Sequence, residues 1–285
     1  MTDSIVKVGK YTFKISDNTI IVRDEIYSRN FRIGGKIPDC VTVSIVYYQN
    51  NISYAYMSFV NYFPDCSLET PLDRGIGTNI MIKTLLNYIH RQLPSITEVK
   101  FEDKSNIECA TEDDILKKGA RRKPGTNVYP IELYYFSIAF NGETWYEKNF
   151  KARHEDINKH EKYRQRIQNV FYSTELKTSI SFDEFRVIAN PPIELLDELH
   201  NFYDKSNTYN EFFQSMPKID RCRLVKDWLN KFMLYHLHDV FDNRKWIIEL
   251  PIQTIGGNRK THKKYYLPRS KLHINNQHTF KDFGI

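Results

Sequence analysis

The chain has 285 residues, enough for one large domain or two modest ones, and 41% of them are apolar, including 18 Phe, 19 Tyr and 3 Trp. That composition excludes a disordered chain and supplies a core without help from metals or disulfides. The net charge is +6, yet residues 1–150 hold 18 basic and 18 acidic side chains, so the excess lies wholly beyond them; residues 256–285 carry seven basic and one acidic. Basicity is a property of the tail, not of the front half.

Cys40, Cys66, Cys109 and Cys222 are far apart and form no C-x-x-C pair. This argues against a zinc ribbon and against a secreted disulfide framework, so unpaired thiols in a reducing compartment are expected. The N-terminal MTDSIVKVGKYTF has no apolar run behind a basic leader, and no stretch reaches the roughly 18 apolar residues of a membrane span. A soluble, cytoplasmic protein with no membrane contact is expected.

Residues 5–63 read as an antiparallel meander, with alternating or β-branched and aromatic runs at 10–15, 19–23, 41–48 and 52–63. Asp17-Asn18 and Asn50-Asn51 are the expected hairpin turns, because Asn and Asp tolerate left-handed backbone. At residue 78 the period changes. Ile82, Leu85, Leu86, Ile89 and Leu93 share one face of a helix that Pro94 ends and that Thr78 or Asn79 is expected to cap. A strand signal at 98–101 follows. Residues 103–127, which contain the basic run KKGARRK, read as an exposed excursion.

Aromatic density resumes over 131–150, where Asn141-Gly142 is a two-residue hairpin signal, although the same residues could form a kinked helix. Beyond Arg153 the pattern is helical, and Leu224, Val225, Trp228, Leu229 and Phe232 form a buried stripe. A terminal hairpin is expected from strands at 245–255 and 264–274 around Gly256-Gly257. The expected fold class is therefore α/β or α+β, with a domain over 1–153, a helical extension over 154–245 and a basic hairpin or tail over 246–285.

The segment LDRGIGTNIMIKTLLNYI (72–89) carries the most chemistry. Glycine lets a phosphate approach bare backbone N–H groups, and the helix start behind it adds unpaired donors and the positive end of a dipole. The same pair of glycines also serves ligand-free strand-to-helix turns. The full G-x-x-x-x-G-K-[ST] and G-x-G-x-x-G patterns are absent. GGNRKTHKK near the end lacks a helix signal behind its lysines.

LDRGIGTNIM resembles the coenzyme-A-binding turn of GNAT superfamily acetyltransferases, whose pattern is Q/R-x-x-G-x-G/A leading into a helix. Gly75, Ile76, Gly77 and Thr78 match, Arg74 takes the usual basic position, and Leu72 departs from the Q/R place. TWYEKNF (144–150) is similar to the family's Y-E-K-x-G-F, without its glycine. The resemblance spans about residues 40–152. It implies an acetyl-CoA-dependent N-acetyltransferase acting on an amine of a small molecule or protein, with acetyl-CoA as co-substrate and no metal. It further implies that Arg74, Gly75, Ile76, Gly77 and Thr78 hold the pyrophosphate, that backbone donors within Ser58, Phe59 and Val60 polarise the thioester, and that Tyr146 protonates the leaving thiolate. The two helices that shape the acceptor site in that family have little room between residues 20 and 37, so the C-terminal half would supply the pocket.

Glu69, Asp73, Glu132 and Glu143 are available as the base, each also fitting an ordinary surface carboxylate, and Tyr146 also fits a core aromatic. His236 and His238, two apart on a helix, face different ways and make a poor metal pair. No G-x-S-x-G elbow occurs. The alternative reading is a catalytically silent module of the same fold, whose basic tail engages nucleic acid or a protein.

Overall fold

The structure is a computed structural model and describes residues 2–23, 26–49, 51–107, 109 and 131–252. The basic run 117–123 and the second arm of the expected terminal hairpin, 264–274, lie outside these residues, as does the charged part of the tail.

The chain is an α+β protein built on an eight-stranded mixed sheet. Five antiparallel strands open it: β1 (Thr2–Val8), β2 (Tyr11–Arg23), β3 (Ile26–Gly34), β4 (Val41–Tyr48) and β5 (Asn51–Val60). The period-2 pattern in β4 buries Val41, Val43, Ile45 and Tyr47 on one face. The expected turn at Asp17-Asn18 is not a turn. Both residues sit inside β2, where Asp17 pairs with Phe31 and Asn18 with Asn30. Asp17 is held there by a bidentate contact from Arg29, whose Nη2 lies 2.6 Å away. The β4–β5 hairpin closes at the Tyr48–Asn51 pair, so Asn51 belongs to the strand.

Helix α1 (Ile76–Gln92) packs on this sheet through Met81, Ile82, Leu85, Leu86 and Ile89, all fully buried. It ends before Pro94, as the sequence predicts. Strand β6 (Glu98–Phe101) then returns parallel to β5, pairing only at Tyr56–Lys100 and Met57–Phe101. A two-stranded ribbon, β7 (Asn106–Ile107) with β8 (Ile131–Glu132), flanks the excursion. Asn141-Gly142 ends helix α2 (Leu133–Asn141). Gly142 adopts φ 73° and caps it, and α3 (Trp145–Phe150) follows on a Thr144–Glu147 capping box.

Strand β9 (Arg153–His154) and strand β10 (Trp246–Glu249) are neighbours in the main sheet, with β10 pairing both β9 and β6. The expected terminal strand is thus part of the large sheet, and the helical segment is inserted between β9 and β10. It comprises α4 (Ile157–Phe171), α5 (Thr174–Ser179), α6 (Phe182–Ala189), α7 (Leu196–Asp204), α8 (Tyr209–Ser215), α9 (Arg221–Val225) and α10 (Leu229–Leu237). The predicted stripe is buried, with Trp228 between α9 and α10 and packed on Phe185, Phe213 and Phe232.

The cysteines are not free thiols. Cys40 bonds Cys66 and Cys109 bonds Cys222. The pairs are 26 and 113 residues apart in sequence, separations that leave no local spacing motif. No helix among the described residues is long and apolar enough to cross a membrane.

Candidate active site

Among the described residues the sheet has one parallel pair, and its carboxyl end is open. β5 has no strand partner on the β6 side past Met57 among the described residues. On its other side the register with β4 slips between Thr42 and Val43, which makes Ser58 the extra residue of a β-bulge. Phe59 and Val60 resume pairing with Thr42 and Val41. The three residues expected to polarise a thioester therefore lie where the strand is bulged on one side and unpartnered on the other.

Residues 61–75 carry the chain from this opening to the start of α1. Cys66 ties the segment to the start of β4, Leu68 N–H donates to the Thr12 carbonyl, and Gly35 packs so closely that a Cβ there would lie 2.2 Å from the Ser67 carbonyl carbon. The turn itself is anchored through Asp73, which accepts from Tyr11 at 2.6 Å and pairs with Lys10 at 2.7 Å. Those contacts, Lys10 first, hold the Asp73 carboxyl below its ordinary range.

Gly75 has φ 75° and ψ −75°, and the Ile76 N–H donates to the Arg74 carbonyl at 3.0 Å, a γ-turn of the strained hand that suits glycine. Gly77 is buried against Leu72, where a Cβ would meet Cγ at 2.8 Å. Ile76 and Arg74 are exposed, with the Arg74 guanidinium 6.0 Å from the Tyr62 ring. Neither Thr78 nor Asn79 caps the helix, because Gly75 takes the N-cap place with no side-chain hydrogen bond. Thr78 is instead the third helical residue, 8% exposed, and among the described residues neither its hydroxyl nor the buried Asn79 Oδ1 has a partner. The amides near position 76 are not all bare, since Gly77 N–H also donates, to the Asp73 carbonyl.

The two segments that carry the family resemblance meet here. Asn79 Nδ2 donates to Asn149 Oδ1 at 2.6 Å, linking the first turn of α1 to α3. Tyr146 lies in the same short helix, 3% exposed, its ring 4.5 Å from Phe101 at the end of β6. Burial, and next the charge of Asp103, push its phenol well above the ordinary tyrosine range. Tyr146 is thus a core aromatic whose hydroxyl has polar company.

That company is the residue the sequence reading missed. Val99, Phe101 and Asp103 share the inward face by period 2, so a carboxyl stands where the alternation calls for an apolar side chain. This parity was the one local signal for it. Asp103 is 2% exposed, and burial raises its carboxyl to about 7. Of the expected bases, Glu132 alone lies near it, itself raised by burial. Glu69 accepts from Thr12 on β2, and Glu143 is half-buried near Arg164.

A groove of about 560 Å³, lined by residues 51–55, 95–98 and Lys100, opens at the amino end of the same strand pair. It faces the C-terminal end of α1, a helix about 25 Å long, and is remote from the glycine turn. No group of three or more metal-ligating side chains converges among the described residues. His236 is buried and His238 exposed, on different faces as expected. No protein-family model, curated protein or solved structure matches the chain.

Proposed function

We propose that the protein is an acetyl-CoA-dependent N-acetyltransferase. The observation that carries this is a glycine-started, uncapped helix placed beside the open carboxyl end of a parallel strand pair. Ligands favour such crevices because strand ends and helix starts leave main-chain donors without partners. A diphosphate at residues 74–78 would take the N–H donors now held by the bent γ-turn bond and give the enclosed Thr78 hydroxyl an acceptor. The thioester carbonyl would lie at the Ser58 bulge, where main-chain N–H groups stabilise the oxyanion formed when the amine attacks. Tyr146 would donate its proton to the departing thiolate, so the proton lost by nitrogen is matched by the one gained by sulfur.

Calorimetric titration with acetyl-CoA tests the binding half. Ile76→Glu is the informative variant: the residue is exposed, so stability is kept, while a carboxylate at the helix start repels a diphosphate. Binding that is lost in Ile76→Glu supports the site; equal binding removes it. Release of free thiol with a panel of small amines and lysine peptides, abolished in Tyr146→Phe, tests transfer.

One observation favours the second reading, a catalytically silent module of this fold: Tyr146 is buried to 3% exposure. Acetyl-CoA binding without thiol release selects it, and a steep loss of nucleic-acid affinity with salt would then assign a role to the basic tail. The supply of acetyl-CoA argues for a cytoplasmic location, against which stand the two disulfides. Alkylation at lysis decides: four reactive thiols support the cytoplasm, and none places the chain in an oxidising compartment.

A further inference from the structure

We propose that the outer edge of β1 is a self-association surface, on which a second copy of this chain lays its own β1 antiparallel and joins the two sheets into one. The contact holds whether or not the chain transfers acetyl groups.

β1 is the first strand of the sheet and pairs only with β2; no described strand lies on its other side. The opposite edge of the sheet is β9, two residues long, so β1 with seven offers the long row of unpaired main-chain groups. The β1–β2 hairpin closes on a two-residue turn, Gly9-Lys10, with Val8 facing Tyr11. Residues that flank such a turn exchange main-chain hydrogen bonds, and the exchange recurs at every second residue. Val8, Val6 and Ser4 therefore point their N–H and C=O groups at β2, while Lys7, Ile5 and Asp3 point theirs outward.

The same parity sorts the side chains. Val6 packs against the core and the Ser4 hydroxyl meets that of Tyr88 on α1 at 3.3 Å, so the even residues face the helix. Asp3, Ile5 and Lys7 lie on the other face, and all three are exposed, Ile5 to 63%. Charges on an edge strand commonly repel a second strand. Here they are placed to attract one.

Two antiparallel copies related by a two-fold axis through Ile5 set Asp3 opposite the partner's Lys7, and Lys7 opposite the partner's Asp3. The outward main-chain groups of all three residues then find partners, and the two exposed Ile5 side chains meet on the axis. Other registers lose this match. Moving the axis to Ser4 or Val6 sets a charge against Ile5, and moving it to Asp3 or Lys7 sets like charges against each other. Within each copy Lys7 lies 3.8 Å from Glu69 and Asp3 lies 2.8 Å from Lys14. The joined edge thus carries a row of alternating sign: Glu69, Lys7, the partner's Asp3, the partner's Lys14.

Seven residues make a contact about 23 Å long and one strand wide, less than the roughly 1,600 Å² of a standard stable interface. The dimer therefore forms at high protein concentration and reverses on dilution.

Small-angle X-ray scattering of the full chain, in a dilution series reaching about 1 mM, tests this through the scattering mass. The native chain should approach twice its monomer mass at the top of the series. Asp3→Lys and Lys7→Asp should each stay monomeric, the first by setting lysine against lysine and the second aspartate against aspartate. Mixed one to one, the two variants should dimerise again, because each lysine-bearing edge then meets an aspartate-bearing one; the double variant should dimerise alone. Both rescues require folded protein, so they separate a lost contact from a lost fold. A native chain that is monomeric throughout, single variants that dimerise as the native chain does, or a mixture that stays monomeric would each overturn the proposal.

Discussion

Four of the seven helices of the insertion begin in the opposite way to the helix beside the glycine turn. α4, α5, α6 and α8 start on Asp156, Ser173, Ser181 and Thr208, each accepting a main-chain N–H from the first turn. α1, with 17 residues, starts on a strained glycine and no cap. A cap contributes about 1 kcal/mol, which these four helices and α3 have and α1, like the shorter α7, α9 and α10, lacks. Buried polar side-chain atoms without a partner among the described residues occur on both sides, in different settings. Those of Thr78 and Asn79 lie at a helix start, that of Asp103 just past a strand end and that of His154 on β9, whereas those of Tyr209 and His236 lie inside the insertion's aromatic core. Incomplete element ends gathered in one place are the physical content of a candidate site.

The largest expected effect breaks the sheet side. Gly35→Ala forces a Cβ into the backbone of Ser67 and dislodges the segment that presents α1. We expect a loss of about 3 kcal/mol or more in urea unfolding together with loss of acetyl-CoA heat; an unchanged midpoint would refute the close approach.

Acid and alkali should separate the two regions next. Burial lowers His160 and His236 to about 4 from an unfolded value of about 6.5. A lowered folded pKa means their stabilisation is full above about 6.5 and lost as pH falls toward 4, by about 1–3 kcal/mol each. Asp103 runs the other way. Its folded pKa is raised from 3.8 to about 7, so its stabilisation is full below about 3.8 and lost as pH rises through 7. Thermal midpoints from pH 4 to 8 should show both slopes, with Asp103→Asn flattening only the alkaline one.

Smaller changes sharpen the contrast. Ser181→Ala removes a capping box from α6 and should cost about 1 kcal/mol while leaving ligand binding intact. Thr78→Val removes a hydroxyl with no partner among the described residues at nearly constant shape, so stability should hold within about 0.5 kcal/mol. The same variant should weaken acetyl-CoA binding. Equal binding would mean that the Thr78 hydroxyl takes no part in holding the ligand.

The meander and α1 were legible because their patterns are local: period 2 in residues 41–48 and the spacing of Ile82, Leu85, Leu86 and Ile89. Asp17-Asn18 misled because its strand character depends on Arg29, a partner supplied by register and not by neighbours. The disulfides and the place of β10 were illegible for the same reason, since both join residues that only the finished topology brings together. The glycine turn was correctly placed at a helix start. Its γ-turn and its silent Thr78 were beyond reach, because both depend on φ and ψ values that no motif specifies.

β10 lies between β6 and β9, so two of the sheet's interior pairings need a strand synthesised after the whole helical body. Ordering so distant a strand is slow, since a long loop must close before any ladder bond forms. The edge of β6 would wait bare until then, and with it Asp103, whose N–H donates to the Asn243 carbonyl and whose carbonyl accepts from Asn243 Nδ2. On this topology maturation has a built-in sequence: the hairpins and α1 first, the insertion next, and the acid at the strand end only when the last strand seats.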